Sequence, residues 1–144
     1  MADVFDTSKY ILEKTGKIST WKLQKLVYYS QAWALAWTDK PIFEEDYEAW
    51  ANGPVCPELF QLHKKKFLVG ADDLGKGSSD NLSADEKETI DIVIRDYGEM
   101  EPYELRELTH SESPWIEARG GVPEGEPCST VITKDSIGEY YGGL

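Results

Sequence analysis

The sequence predicts a mainly α-helical protein, a compact bundle around one central buried helix of about residues 18–37, with a small two-stranded β element. Three observations carry this. First, Ile18 to Trp37 places Leu23, Leu26, Val27, Trp33, Ala34 and Trp37 at steps of three, four and seven, with Tyr29, Ala32 and Ala36 as a second apolar wall. A helix that loses its polar face must be enclosed by neighbours. Second, most other apolar runs have helical spacing and are punctuated by capping residues. Third, only residues 47–51 and 129–133 read as strands.

Taken in order, a short helix is expected from Ser8 to Lys14, with Tyr10 and Ile11 inward and Gly16 closing it in the left-handed conformation. The central helix follows, with Ser19 as N-cap, Lys22 and Lys25 on its only charged side, and Pro41 beyond its end. Tyr47 to Ala51 alternates, setting Tyr47, Ala49 and Ala51 against Glu48 and Trp50. Asn52-Gly53-Pro54 makes a sharp corner, and Pro54 stops the strand by removing an amide donor.

Pro57 suits the first turn of a helix carrying Leu59, Phe60, Leu62 and His63 inward, followed by Phe67, with Lys64-Lys65-Lys66 at its C-terminal end. Gly70 to Asn81 is poor in apolar residues and reads as an exposed, mobile loop. Ser83 and Glu86 form a capping box for a helix that turns Ile90, Val93, Ile94 and Tyr97 to one side. Pro102 opens a helix to His110, and Ser113 caps the next, which Gly120-Gly121 ends. After a loop to Pro127, residues 129–133 supply the partner strand, and Thr133 caps a last helix with Ile137, Tyr140 and Tyr141 inward.

Acidic residues outnumber basic ones by twelve. That balance disfavours unassisted binding to nucleic acid or to an anionic membrane, which need clustered cations, and suits a basic protein partner. The two cysteines, Cys56 and Cys128, follow no metal or redox spacing, and the chain shows neither a secretory signal nor a membrane-length apolar run. A cytoplasmic protein of one domain over residues 1–144 is expected.

The ordered set of motifs resembles one family. Lys22-Leu23-Gln24-Lys25-Leu26-Val27-Tyr28-Tyr29 with Gln31-Ala32-Trp33, then Phe43, Glu48-Ala49-Trp50, Gly53-Pro54-Val55 and Pro57-Glu58-Leu59, is similar to the Panacea (SocA/GepA-like) antitoxin domain of bacteria and their phages. Leu105, Leu108-Thr109-His110, Pro114-Trp115 and Ala118-Arg119-Gly120 resemble its later motif, and Val131-Ile132 with Ile137 and Tyr140-Tyr141 resembles its closing helix. The resemblance runs from about residue 8 to about residue 141. It implies a helical domain that neutralises a co-encoded toxin by binding it, in a type II toxin–antitoxin pair. In the SocA branch it also implies an adaptor that hands the toxin to an ATP-dependent protease. No catalytic residue, metal or cofactor comes with the resemblance.

Read for chemistry, the residues favour packing over catalysis. His63 lies beside core positions of its helix, which suits a structural histidine better than a base. His110, among Thr109, Ser111 and Ser113, lacks an orienting acid and an oxyanion donor that sequence could place, so its expected role is to receive Trp115. Cys56 sits near a helix start, where a dipole lowers a thiol pKa, but has no partner base. Glu44, Glu45, Asp46 and Glu48 fall on both faces of an alternating segment. The expected partner-binding residues are those of the rigid corner, Trp50, Asn52, Gly53, Pro54 and Val55, with Trp50 as an interface anchor. The competing reading is a backbone-driven turn with Trp50 buried beneath it.

Overall fold

Asp3 sets the first helix. Its carboxylate accepts from the Asp6 amide at 2.9 Å and the Asp6 carboxylate accepts from the Asp3 amide at 2.9 Å, a reciprocal cap that begins α1 at Val4 (Val4–Thr15), four residues before the expected Ser8. The computed structural model describes residues 1–144. Gly16 does close α1, but its φ of 76° is combined with an extended ψ of −165°, so it delivers the chain into a strand and not a left-handed cap. That strand is β1 (Ile18–Ser19), antiparallel to β4 (Leu68–Val69). Two-residue strands are too short for alternation to show them in a sequence.

The central helix, α2 (Thr20–Thr38), starts as predicted with the Ser19 hydroxyl accepting from the Lys22 amide at 3.1 Å. Leu23, Leu26, Val27, Tyr28 and Tyr29 are closed off from solvent. Each such side chain contributes roughly 1.5–3 kcal/mol by leaving water. α1, α4 (Ala84–Tyr97) and α7 (Lys134–Gly142) pack around the rod, α7 over the largest contact. Two expectations for α2 are corrected. Lys25 is not on a solvated side: it is only 2 % exposed, beneath the turn at residues 53–54. Trp37 is 50 % exposed, its ring tilted at 31° against Trp33 at 5.2 Å where the last turn of α2 outruns its covering.

The expected strand pair is present. β2 (Tyr47–Trp50) runs antiparallel to β5 (Val131–Ile132) with Tyr47 opposite Ile132, and Tyr47 and Ala49 face the core. A third strand, β3 (Gly53–Val55), joins the other edge to give the order β3-β2-β5. Pro54 therefore does not end the sheet. It lies opposite Ala49, whose amide turns away to the Thr130 carbonyl at 2.9 Å, so the ladder asks for no proline N–H at that pair.

Between α3 (Pro57–His63) and α4, Phe67 is 75 % exposed. The 70–82 segment is more embedded than expected. Leu74 and Leu82 are buried, and the Asp6 carboxylate accepts from the Ser78 amide at 2.8 Å and the Asn81 side chain at 3.2 Å. Gly77, at φ 91°, passes the Phe5 carbonyl so closely that no side chain would fit.

Ser83 and Thr133 cap α4 and α7 as predicted. α5 (Pro102–His110) and α6 (Ser113–Arg119) lie between them, and Gly120 ends α6 in the left-handed conformation. The cap position of α6 is Glu112 and not Ser113. Its carboxylate is drawn into the core, where one oxygen accepts from the Tyr29 hydroxyl at 2.6 Å and the Tyr141 hydroxyl at 2.7 Å.

Candidate functional site: the groove at the β2–β3 hairpin

The hairpin is held from below by three side chains from two helices. Trp115 on α6 donates its indole N–H to the Trp50 carbonyl at 2.8 Å. Arg119, also buried, donates to the Ala49 carbonyl at 2.8 Å, the Pro123 carbonyl at 2.9 Å and the Glu126 carbonyl at 2.6 Å. It thereby straps the 121–127 loop to β2. From α2, the Lys25 ammonium donates to the Pro54 carbonyl at 3.3 Å. Gly53 has φ 117°, and a Cβ there would stand 2.7 Å from Lys25 Cε and 3.0 Å from Thr109 Oγ1. Glycine is required at this place by both backbone and neighbour.

Two open cavities flank this hairpin and share Trp21 and Asn52 as walls. The larger, about 430 Å³, runs from Trp21 and Trp50 to Pro127 and Cys128. The smaller, about 210 Å³, has Lys25 at its base and Pro102, Tyr103 and Arg106 along α5. Together they form a groove with indole walls.

The expected site residues divide between its surface and its support. Trp50 is half-buried: its ring meets Phe60 edge-on at 4.9 Å and its N–H donates to Glu48 at 2.8 Å, with a face left to the groove. Asn52 is exposed, its side-chain oxygen 3.4 Å from Arg106 Nε. Gly53, Pro54 and Val55 are buried and shape the hairpin without lining the groove. Trp21, Lys25, Tyr103 and Arg106 were missed. A helix-start tryptophan and a mid-helix lysine are ordinary in sequence, and only the fold brings them to α5.

Burial accounts for the titrating groups. It pushes the Lys25 ammonium down from its ordinary range to about 7, and the nearby Arg106 charge adds to the shift. Burial likewise pushes the Cys56 thiol up to about 12, against any helix-dipole activation. His63 is enclosed, its Nε2 3.0 Å from the Gln24 amide nitrogen, and burial lowers its pKa. His110 stacks on Trp115 at 3.8 Å, receiving that ring as expected, with burial lowering its pKa too. The acidic residues of 44–48 have separate duties. Glu45 accepts from the Val4 amide at 3.3 Å and Asp46 pairs with Lys134 at 2.7 Å. No group of three or more His, Cys, Asp or Glu side chains is arranged to hold a metal ion, and no helix is long and apolar enough to cross a membrane.

Set beside known families, this helical body with its strapped hairpin falls in the antitoxin-like class. The sequence profile described as Antitoxin SocA-like, Panacea domain matches residues 23–116, nearly two thirds of the chain, and the protein belongs to this family. The matched span begins within α2 and ends in α6, so it contains every groove residue except Trp21 and the 125–129 wall. Comparison with curated proteins and with solved structures finds no match in either.

Proposed function

We propose that this protein is the antitoxin of a type II toxin–antitoxin pair, acting in the cytoplasm by stoichiometric binding of a co-encoded toxin and without catalysis. The observation that carries the reading is the family match over residues 23–116, which spans the hairpin and the helices that build the groove. The groove's chemistry supports it. Trp21 and Trp50 offer large, rigid apolar faces of the kind that anchor interfaces. A net charge of −12 draws a basic partner in from a distance and speeds encounter more than it adds affinity.

The test is co-expression with the product of the neighbouring reading frame. The expected result is rescue of growth and a co-purifying complex, with Trp50→Ala weakening the complex by on the order of tenfold or more. A neighbour that is harmless alone, or one that is toxic but neither rescued nor bound, overturns the reading.

A further inference from the structure

Lys25 is the chain's least satisfied buried charge. Its ammonium has three donors, and the structure gives it one acceptor, the Pro54 carbonyl at 3.3 Å. None of the five ion pairs includes it. The charged and titratable groups that act on it from the packed elements are Arg106 of α5 and His63 of α3, and neither is an acid. Buried Arg119 makes an instructive contrast, since three of its five N–H donors reach carbonyls. A buried cation without compensation is costly and is relieved either by a paired carboxylate or by giving up its proton.

Here the compensation is missing on the side that opens to the groove. The 210 Å³ cavity above Lys25 is lined by Trp21, Lys25, Asn52, Pro102, Tyr103 and Arg106: two cations, an amide, a phenol and apolar walls, with no carboxylate. In a protein of net charge −12 this polarity is inverted relative to the surface at large. Arg106 has a partner at each nitrogen, the Asn52 side-chain oxygen at 3.4 Å, exposed Glu107 at 2.9 Å and exposed Glu124 at 3.8 Å, and these solvent-exposed contacts are weak enough for an incoming carboxylate to displace. Its guanidinium offers planar donors that match a carboxylate. The volume suits one side-chain head group with its methylenes against Trp21.

We propose that this pocket is a carboxylate receptor, taking an acidic side chain of the partner protein between the Lys25 ammonium and the Arg106 guanidinium. This rests on the toxin-binding reading for the identity of the partner, and on the pocket alone for its chemistry. The overall negative field brings the partner in, and the single acidic side chain fixes its register in the groove. Such a contact discriminates among partners, because a wrong one leaves Lys25 unpaired.

Two experiments separate the pocket from the function. Isotope-labelled protein is titrated with sodium acetate against sodium chloride at equal ionic strength, and backbone amide shifts are followed by NMR. Saturable shifts at Asn52, Tyr103 and Arg106 that disappear in Lys25→Met and in Arg106→Ala are expected. No saturable shift overturns the receptor, and so does a response to inorganic phosphate without one to acetate. Arg106 is at the surface, so Arg106→Ala keeps the test valid if Lys25→Met alters the fold. In the complex with the neighbouring gene product, each variant is expected to raise Kd by about tenfold or more. A wild-type complex that both variants leave at full affinity overturns the receptor and spares the antitoxin reading. Absence of any wild-type complex overturns the antitoxin reading, and the acetate titration still decides the pocket.

Discussion

Two buried ionisable groups, Glu112 against Tyr29 of α2 and Lys25 one turn earlier on the same helix, have opposite fates. Glu112 sits among Tyr28, Tyr29 and Tyr141, with two phenols donating to one of its oxygens within 2.7 Å. Burial raises its pKa and those two hydrogen bonds pull back against the rise. Lys25 meets one carbonyl, the Trp21 ring at 5.4 Å and a neighbouring cation, and no carboxylate offsets its burial. The acid is answered from within the chain and belongs to the fold. The base is left to be answered from outside, and it opens onto a groove.

The largest expected effect breaks the satisfied side. Glu112→Ala leaves the Tyr29 and Tyr141 hydroxyls without their acceptor in the core, and should lower stability by about 3 kcal/mol in urea denaturation. Glu112→Gln keeps an acceptor oxygen and should lose clearly less.

On the unsatisfied side, the test is pH. Lys25 holds its proton in the unfolded chain up to its ordinary value of 10.5 but in the folded one only up to about 7. Between these values the unfolded state binds more protons, so stability rises with pH. Cys56, pushed up from 9.0 to about 12, opposes this above pH 9. From pH 7 to 9 the gain should approach roughly 2 kcal/mol, and Lys25→Met should flatten that rise. Glu112 has the contrary sign: its raised pKa gives stability that is present in acid and lost as pH climbs through its folded value. Thermal unfolding of the two variants across pH should therefore diverge in opposite directions.

Gly53→Ala probes the roof over Lys25. The positive φ and the 2.7 Å approach to Lys25 Cε should cost about 1–2 kcal/mol, read as a lowered melting temperature. Smallest of all, Arg106→Ala should change the stability of the free protein by less than about 0.5 kcal/mol, because its ion pairs are with exposed Glu107 and Glu124. A large loss there would make Arg106 a part of the scaffold and blur the contrast with Glu112.

Much of the fold was legible because its signals are local. Ser19, Ser83 and Thr133 cap the helices they were expected to cap, and the 3.6-residue spacing of Leu23, Leu26 and Val27 marks the enclosed rod. What escaped depends on distant neighbours. Lys25 looked solvated because a lysine's letter says nothing of the hairpin that closes over it. Glu112 drew no notice because its phenolic partners are far away in sequence. The β3 strand was hidden by Pro54, whose tolerance depends on which way Ala49 turns its amide. The turn at residues 52–54 was legible from its glycine and proline, but the sequence could not separate Trp50 and Asn52, which face the groove, from Gly53, Pro54 and Val55, which hold it up.

The Lys25 ammonium also lies 5.4 Å from the centre of the Trp21 ring. A charge at that range perturbs the excited state of an indole, so the protonation of one side chain is coupled to the colour and yield of one fluorophore. The protein thus carries its own optical gauge. A single-tryptophan variant that keeps only Trp21 would report, without any label, when the lysine is charged, when it is neutral, and when something has come to sit beside it.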